Sequence, residues 1–305
     1  MHAFPADSTN TNQDLAPVLI VGSSDAARQR AMRSVAAAGF RIAAAVDLAS
    51  APDRMEIQGR ASALWLELDD SDDAAADAAL DQLTLDVGEG RYGAVIAAPA
   101  SLIDPLAARF PDTGVELVID GNDAERAAAL AIVTSGAYRP DRLHDIASDQ
   151  NNARLRQLSD EVSRIAATLA RLSTGPGQPQ RIQEAPPPKD VPDVSVDTVR
   201  TVIRARRLRG RFFDEELFAD PAWDMLLDLF QAELAQLRVP VSSLCIAAAV
   251  PATTALRWLK TMTGQGLFVR RADPHDGRRV FVELAPQASV ALRRYFAEVG
   301  NPATI

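Results

Sequence analysis

Eight basic side chains stand between Pro251 and Arg294: Arg257, Lys260, Arg270, Arg271, Arg278, Arg279, Arg293 and Arg294. Three acidic ones, Asp273, Asp276 and Glu283, share that stretch. Clustered cationic groups attract phosphate, because they neutralise its charge and release its counterions. Other chemistry is poorly supplied. Three scattered histidines (His2, His144, His275) and one cysteine, Cys245, are too few for a disulfide framework or a protein-only zinc site. Asp69, Asp70, Asp72 and Asp73 offer carboxylates to a divalent cation, but carboxylates at a helix start also suit the helix dipole, and that reading is preferred. VGSSDAARQR (Val21–Arg30) has the place of a dinucleotide loop, with Asp47 as its ribose acceptor. It lacks the second and third glycines of G-x-G-x-x-G, and no P-loop pattern occurs. With no nucleophile–base pair, metal set or phosphate loop, no enzyme, catalytic residue or cofactor is expected.

These groups belong to a chain of 305 residues, 47% hydrophobic, with a formal charge of −9. The length suggests two domains. The charge is unevenly spread. Residues 1–196 hold 17 Lys/Arg against 29 Asp/Glu, whereas residues 197–305 hold 15 against 12. An acidic half and a basic half imply unlike partners. The N-terminal MHAFPADSTNTNQDL is polar and reads as a disordered tail (1–15) rather than a signal peptide. No apolar run has the length of a membrane span, so no membrane partner is expected, and the default compartment is a reducing cytoplasm.

The elements follow from periodicity. PVLIV (Pro17–Val21), RIAAAV (Arg41–Val46), ALWLEL (Ala63–Leu68), AVIAA (Ala94–Ala98) and VELVI (Val115–Ile119) are short apolar runs of the kind buried on both faces of a parallel sheet. Helical spacing falls between them: Asp25 to Gly39, an alanine-rich stretch to about Leu85, Ile103–Phe110 and Ala124–Ser135. The alternation predicts an α/β doubly wound domain over 16–140. In 141–173, Leu155, Leu158, Val162, Ile165, Leu169 and Leu172 keep 3-4 spacing, a candidate coiled-coil seam for pairing two chains. Six prolines and two glycines between Ser173 and Asp193 make 174–193 a linker.

The last domain spans 194–300. Val194–Arg209 reads as an arginine-rich helix. Asp220-Pro221 is an N-cap with proline at the first helical position, opening a helix to Leu237. Ser242 is expected to cap a short helix, followed by a tight turn at Ala249-Val250 and a helix from Pro251. Leu267–Arg271 and Arg279–Leu284 read as strands joined at Asp276-Gly277, and a final helix spans Pro286–Glu298. Helix, turn, helix and two-stranded ribbon make a winged helix-turn-helix, which places a helix in a major groove and a basic hairpin on phosphates or in the minor groove. Trp223, Trp258 and Cys245 are read as core side chains.

The stretch VPATTALRWLKTMTGQGLFVRRADPHDGRRVFVEL (Val250–Leu284) resembles the MarR family of bacterial transcription regulators, in its recognition helix and in the Asp276-Gly277-Arg278 wing. The resemblance covers about 100 residues, from Val194 to the end. It implies that Thr253 and Arg257 face base edges, with Ala252 and Leu256 beside them. Thr254 and Lys260 then lie nearer phosphates, and Arg278, oriented by Asp276, aims at the minor groove with Arg279 alongside. Two departures stand out: Pro251 replaces the usual polar cap, and Leu256 occupies a position where a polar residue is common.

The first domain resembles a response-regulator receiver in topology. Receivers hold magnesium on an acidic pair after the first strand, accept phosphate on an aspartate at the end of the third, and neutralise it with a lysine after the fifth. Here Gly22-Ser23-Ser24-Asp25, Glu67 and Ile119-Asp120-Gly121 stand at those places, and the chain has two lysines, Lys189 and Lys260. The resemblance therefore implies a degenerate, phosphorylation-incompetent receiver. The combined expectation is a dimeric regulator that binds double-stranded DNA and takes protein or signal input through its first domain. The alternative is a winged-helix adaptor that docks a protein and never touches DNA. The DNA reading requires Thr253, Arg257 and Arg278 to share one accessible face.

Overall fold

Five apolar runs become five parallel strands, each returned by a helix. The computed structural model describes residues 17–59, 61–69, 74–111, 114–135 and 192–299. The tail, the 155–172 seam, the 174–190 part of the linker, Asp70, Asp72, Asp73 and Lys189 lie outside the described residues. In chain order the first part comprises β1 (Val18–Gly22), α1 (Asp25–Ala37), β2 (Ile42–Asp47), α2 (Ala51–Glu56), β3 (Ala63–Glu67), α3 (Ala74–Gly88), β4 (Gly93–Ala98), α4 (Ile103–Arg109), β5 (Val115–Ile119) and α5 (Asp123–Thr134). The sheet order is β2-β1-β3-β4-β5, a doubly wound arrangement with its switch point between β1 and β3. α2 was not expected. It is one short turn and a half, begun by Pro52 in its first turn.

Alternation along each strand feeds two cores. Val18, Ile20, Trp65, Val95 and Val118 meet Ala31 and Val35 of α1 and Ala129, Leu130 and Val133 of α5. Leu19, Val21, Leu64, Leu66 and Ile96 meet Met55, Leu83 and Leu106 from α2, α3 and α4. Local chemistry fixes the helix ends. The Ser24 hydroxyl accepts from the Ala27 amide at 3.0 Å, and Asn122 and Glu125 form a reciprocal capping box on α5.

The second part comprises α6 (Val196–Leu208), α7 (Pro221–Leu234), β6 (Val239–Pro240), α8 (Val241–Ala247), α9 (Ala252–Gly264), β7 (Phe268–Ala272), β8 (Val280–Leu284) and α10 (Pro286–Val299). α8 and α9 meet at 107°, within the range of helix-turn-helix units. Their turn places Ala249 at φ 53°, and Gly266 at φ 71° leads into the ribbon. Strands β7 and β8 are antiparallel, with β6 added beside β8 as a short third strand. The order is that of a winged helix-turn-helix. Phe230 stacks on Phe296 at 5.7 Å in a core with Met225, Leu244, Leu259, Phe268 and Leu292. Among the described residues no single helix is long and apolar enough to cross a membrane.

Three local expectations are corrected. Ser242 lies inside α8 rather than capping it; Pro240 holds the cap position without a side-chain bond. Trp258 is 38% exposed, because it sits on the flank of α9 between its two buried faces, whereas Trp223 packs edge-on against Tyr295. The wing turn is not a two-residue reversal. Asp273 donates its amide to the Arg279 carbonyl at 3.0 Å, closing a longer loop, and Gly277 does not take a positive φ.

Candidate nucleic-acid interface

Each residue of an α-helix turns about 100° from the last. On α9, Ala255, Leu259 and Met262 therefore share one side, and all three are buried in the apolar cluster that holds Leu244 and Phe268 and continues into the α/β core. Thr253, Leu256, Arg257 and Lys260 lie on the other side of the helix. This is the side a helix-turn-helix offers to a groove. In the structure it is covered. α9 runs beside β5, the edge strand of the parallel sheet.

The contacts are specific. Thr253 is fully buried, and its hydroxyl accepts the Ile119 amide at 3.0 Å. An edge strand presents unpaired amides, and α9 covers this one. Arg257 Nε donates to Glu116 Oε2 at 3.0 Å, and Glu116 is itself buried. The Arg257 Nη2 is buried and has no hydrogen-bond partner among the described residues. Leu256 and Lys260 line a small recess with Phe110, Val115 and Glu116. Ala252 and Thr254 are half-buried. The expectation that Thr253, Leu256 and Arg257 lie open to a duplex is therefore corrected for this state: they share one face, and the α/β domain occupies it.

The first helix of the pair is held too. Asp104 of α4 accepts from the Ser242 amide at 2.9 Å and from its hydroxyl at 2.6 Å. The cap that Pro240 cannot supply thus comes from the other domain. Cys245 is buried on the same helix, and burial, with Asp104 nearby, pushes its thiol up to about 12. In the ribbon, Arg270 reaches the Ala107 carbonyl at 3.4 Å.

The wing approaches α3. Arg278 Nη2 lies 3.7 Å from Asp77 Oδ2, above a cavity of about 580 Å³ between α3, α4 and the wing. Asp276 does not aim the Arg278 guanidinium. Its Oδ1 accepts the Arg278 backbone amide at 3.0 Å, and its Oδ2 lies 3.4 Å from Arg279 Nε. Asp276 shapes the loop, and both arginine side chains are exposed.

No protein-family model matches the chain, and no curated protein matches it. Among solved structures, the transcriptional regulator Tm0710 from Thermotoga maritima is similar to it at 18% identity. The similarity covers 35% of this chain and 82% of that one, with a TM-score of 0.21. It is too slight to carry a role to any residue.

The carboxyl ends of β1 and β3, where open α/β sheets bind ligands, are filled by side chains. Glu67 is buried and accepts from Trp65 Nε1 at 2.8 Å, from Arg30 at 3.1 Å and from Arg126. Asp69 pairs with Arg30 and accepts from the Ser24 hydroxyl at 2.6 Å. That hydroxyl bond, with Arg30 adding, holds its carboxyl below the usual aspartate range. Among the described residues no group of three or more His, Cys, Asp or Glu is placed to hold a metal.

Sequence reasoning missed the partners Asp77, Asp104, Glu116 and Ser242. Glu116 carried a usable signal, a charged residue inside the apolar run VELVI.

Proposed function

We propose that this chain is a DNA-binding regulator whose winged helix-turn-helix reads a duplex through α9 and the wing. The observation that carries the reading is the 107° α8–α9 pair followed by an antiparallel ribbon, with six basic residues against three acidic across that segment. Thr253 and Arg257 face base edges once α9 is free, and Ala252 and Leu256 offer methyl contacts beside them. Thr254, Lys260 and Arg279 neutralise phosphates, and Arg278 enters the minor groove. No reaction or cofactor is part of this reading. The α/β domain is the input half, and it lacks the residues for aspartyl phosphorylation.

The regulator is a homodimer, since two half-sites multiply a modest affinity. Support comes from the residues after α6, where Phe212 is 73% and Leu217 70% exposed beside Phe213 and Phe218. Such a patch favours burial against a partner.

Duplex binding by the full chain against rising salt is the test. Phosphate neutralisation makes affinity fall linearly on a log–log plot, and Arg279→Ala, outside the covered face, should lower the slope by about 1. Affinity indifferent to salt sinks the reading. One observation favours the adaptor instead: Thr253 and Leu256 are buried against the α/β domain, as in a permanent junction. Salt-insensitive capture of a protein partner would select it.

A further inference from the structure

We propose that the α/β domain is an internal stand-in for DNA. It sets carboxylates where the duplex would set phosphates, so that the two compete for one face. This deepens the DNA-binding reading and rests on it.

Three carboxylates carry the inference, each on a different element. Glu116 of β5 takes the Nε of Arg257. Asp104 of α4 takes the amide and hydroxyl of Ser242, donors of the kind that hold a phosphate oxygen. Asp77 of α3 faces Arg278. Each therefore pairs with the base-reading helix, the helix before it or the wing. Thr253, assigned to a base edge, is instead spent on the Ile119 amide.

The contact is partly apolar, with Phe110, Val115, Ile119 and Leu256 in one continuous cluster, but it also buries polar groups, as contacts between movable domains do. Here a buried carboxylate meets a half-buried arginine whose Nη2 is unpartnered among the described residues. A duplex offers that guanidinium two acceptors, the O6 and N7 of a guanine.

The test uses the full chain and the isosteric triple variant Asp77→Asn, Asp104→Asn, Glu116→Gln. It removes the stand-in charges and leaves every residue assigned to DNA intact. Two quantities are read: exchange of the Ile119 amide without DNA, and affinity for a random-sequence duplex of about 30 base pairs. Both should rise by about tenfold or more, since apparent affinity scales with the competent fraction. Saturating duplex should also speed Ile119 exchange in the unaltered chain. If the triple variant does not fold, Asp104→Asn alone should move both quantities the same way by about threefold. Duplex binding that no variant strengthens, with Ile119 still protected in the complex, overturns the stand-in and leaves the DNA reading intact. Faster Ile119 exchange without salt-dependent duplex binding in any variant overturns the DNA reading, and the stand-in with it.

Discussion

Arg257 illustrates how one side chain serves two environments. With Glu116 buried beneath it, Arg257→Ala removes a cationic partner from a buried carboxylate. Because the arginine is about one-third exposed, solvent returns part of the loss, leaving a cost of roughly 1–3 kcal/mol. Urea denaturation measures it, and a loss under about 0.5 kcal/mol would mean that the pair holds nothing. Glu67 is the harsher case. Its carboxylate satisfies Trp65, Arg30 and Arg126. Arg30 keeps Asp69, but Glu67→Ala takes the carboxylate from the largely buried Arg126 and should cost about 3 kcal/mol by the same measurement. Cys245 gives a pH signature. Its thiol is raised from 9.0 to about 12, so the folded state keeps a proton the unfolded chain releases. Its contribution is constant below pH 9 and declines as pH rises from 9 toward 12. Alkylation at pH 8 should be far slower in the native chain than in urea, and equal rates would contradict burial. The cationic half of these pairs was legible, since basic clustering is visible in composition. The anionic half was not, because Asp77 and Asp104 look like ordinary helix-surface acids until α8 and the wing are brought against them.

Among the elements, local pattern carried far. β5 spans Val115–Ile119 as its apolar run requires, and α9 begins at Ala252 after Pro251. The misses have tertiary causes. β6 is two residues long and exists because β8 offers it an edge. Trp258 was expected in the core because an isolated helix gives apolar residues one interior, but α9 has two buried faces and leaves Trp258 between them. The α8–α9 turn is an element with a testable strain. Ala249 adopts φ 53°, where a Cβ is disfavoured, so Ala249→Gly should stabilise the chain by about 1 kcal/mol and raise its melting temperature. The patch after α6 tests association at the same scale. If this patch pairs two chains as proposed, Phe212→Asp with Leu217→Asp should leave a monomer in light scattering with helix content unchanged.

For the whole molecule, charge and covalent linkage bear on the proposed competition. The acidic α/β domain lies against α9 and the wing, so it repels a duplex while covering the face assigned to it. Being part of one chain keeps that domain at high local concentration, so specific contacts with α8, α9 and the wing set the balance. If the closed state leads by about 2–3 kcal/mol, the open fraction is roughly 3% to 0.6% and apparent duplex affinity falls by the same factor. A saturating duplex must then push the domains apart. Small-angle scattering with the DNA contrast-matched should show the protein's radius of gyration rising on complex formation. The triple carboxylate variant should show that rise before DNA is added. A complex whose protein component stays as compact as the free chain would mean that the duplex is held elsewhere, with α9 still folded against β5.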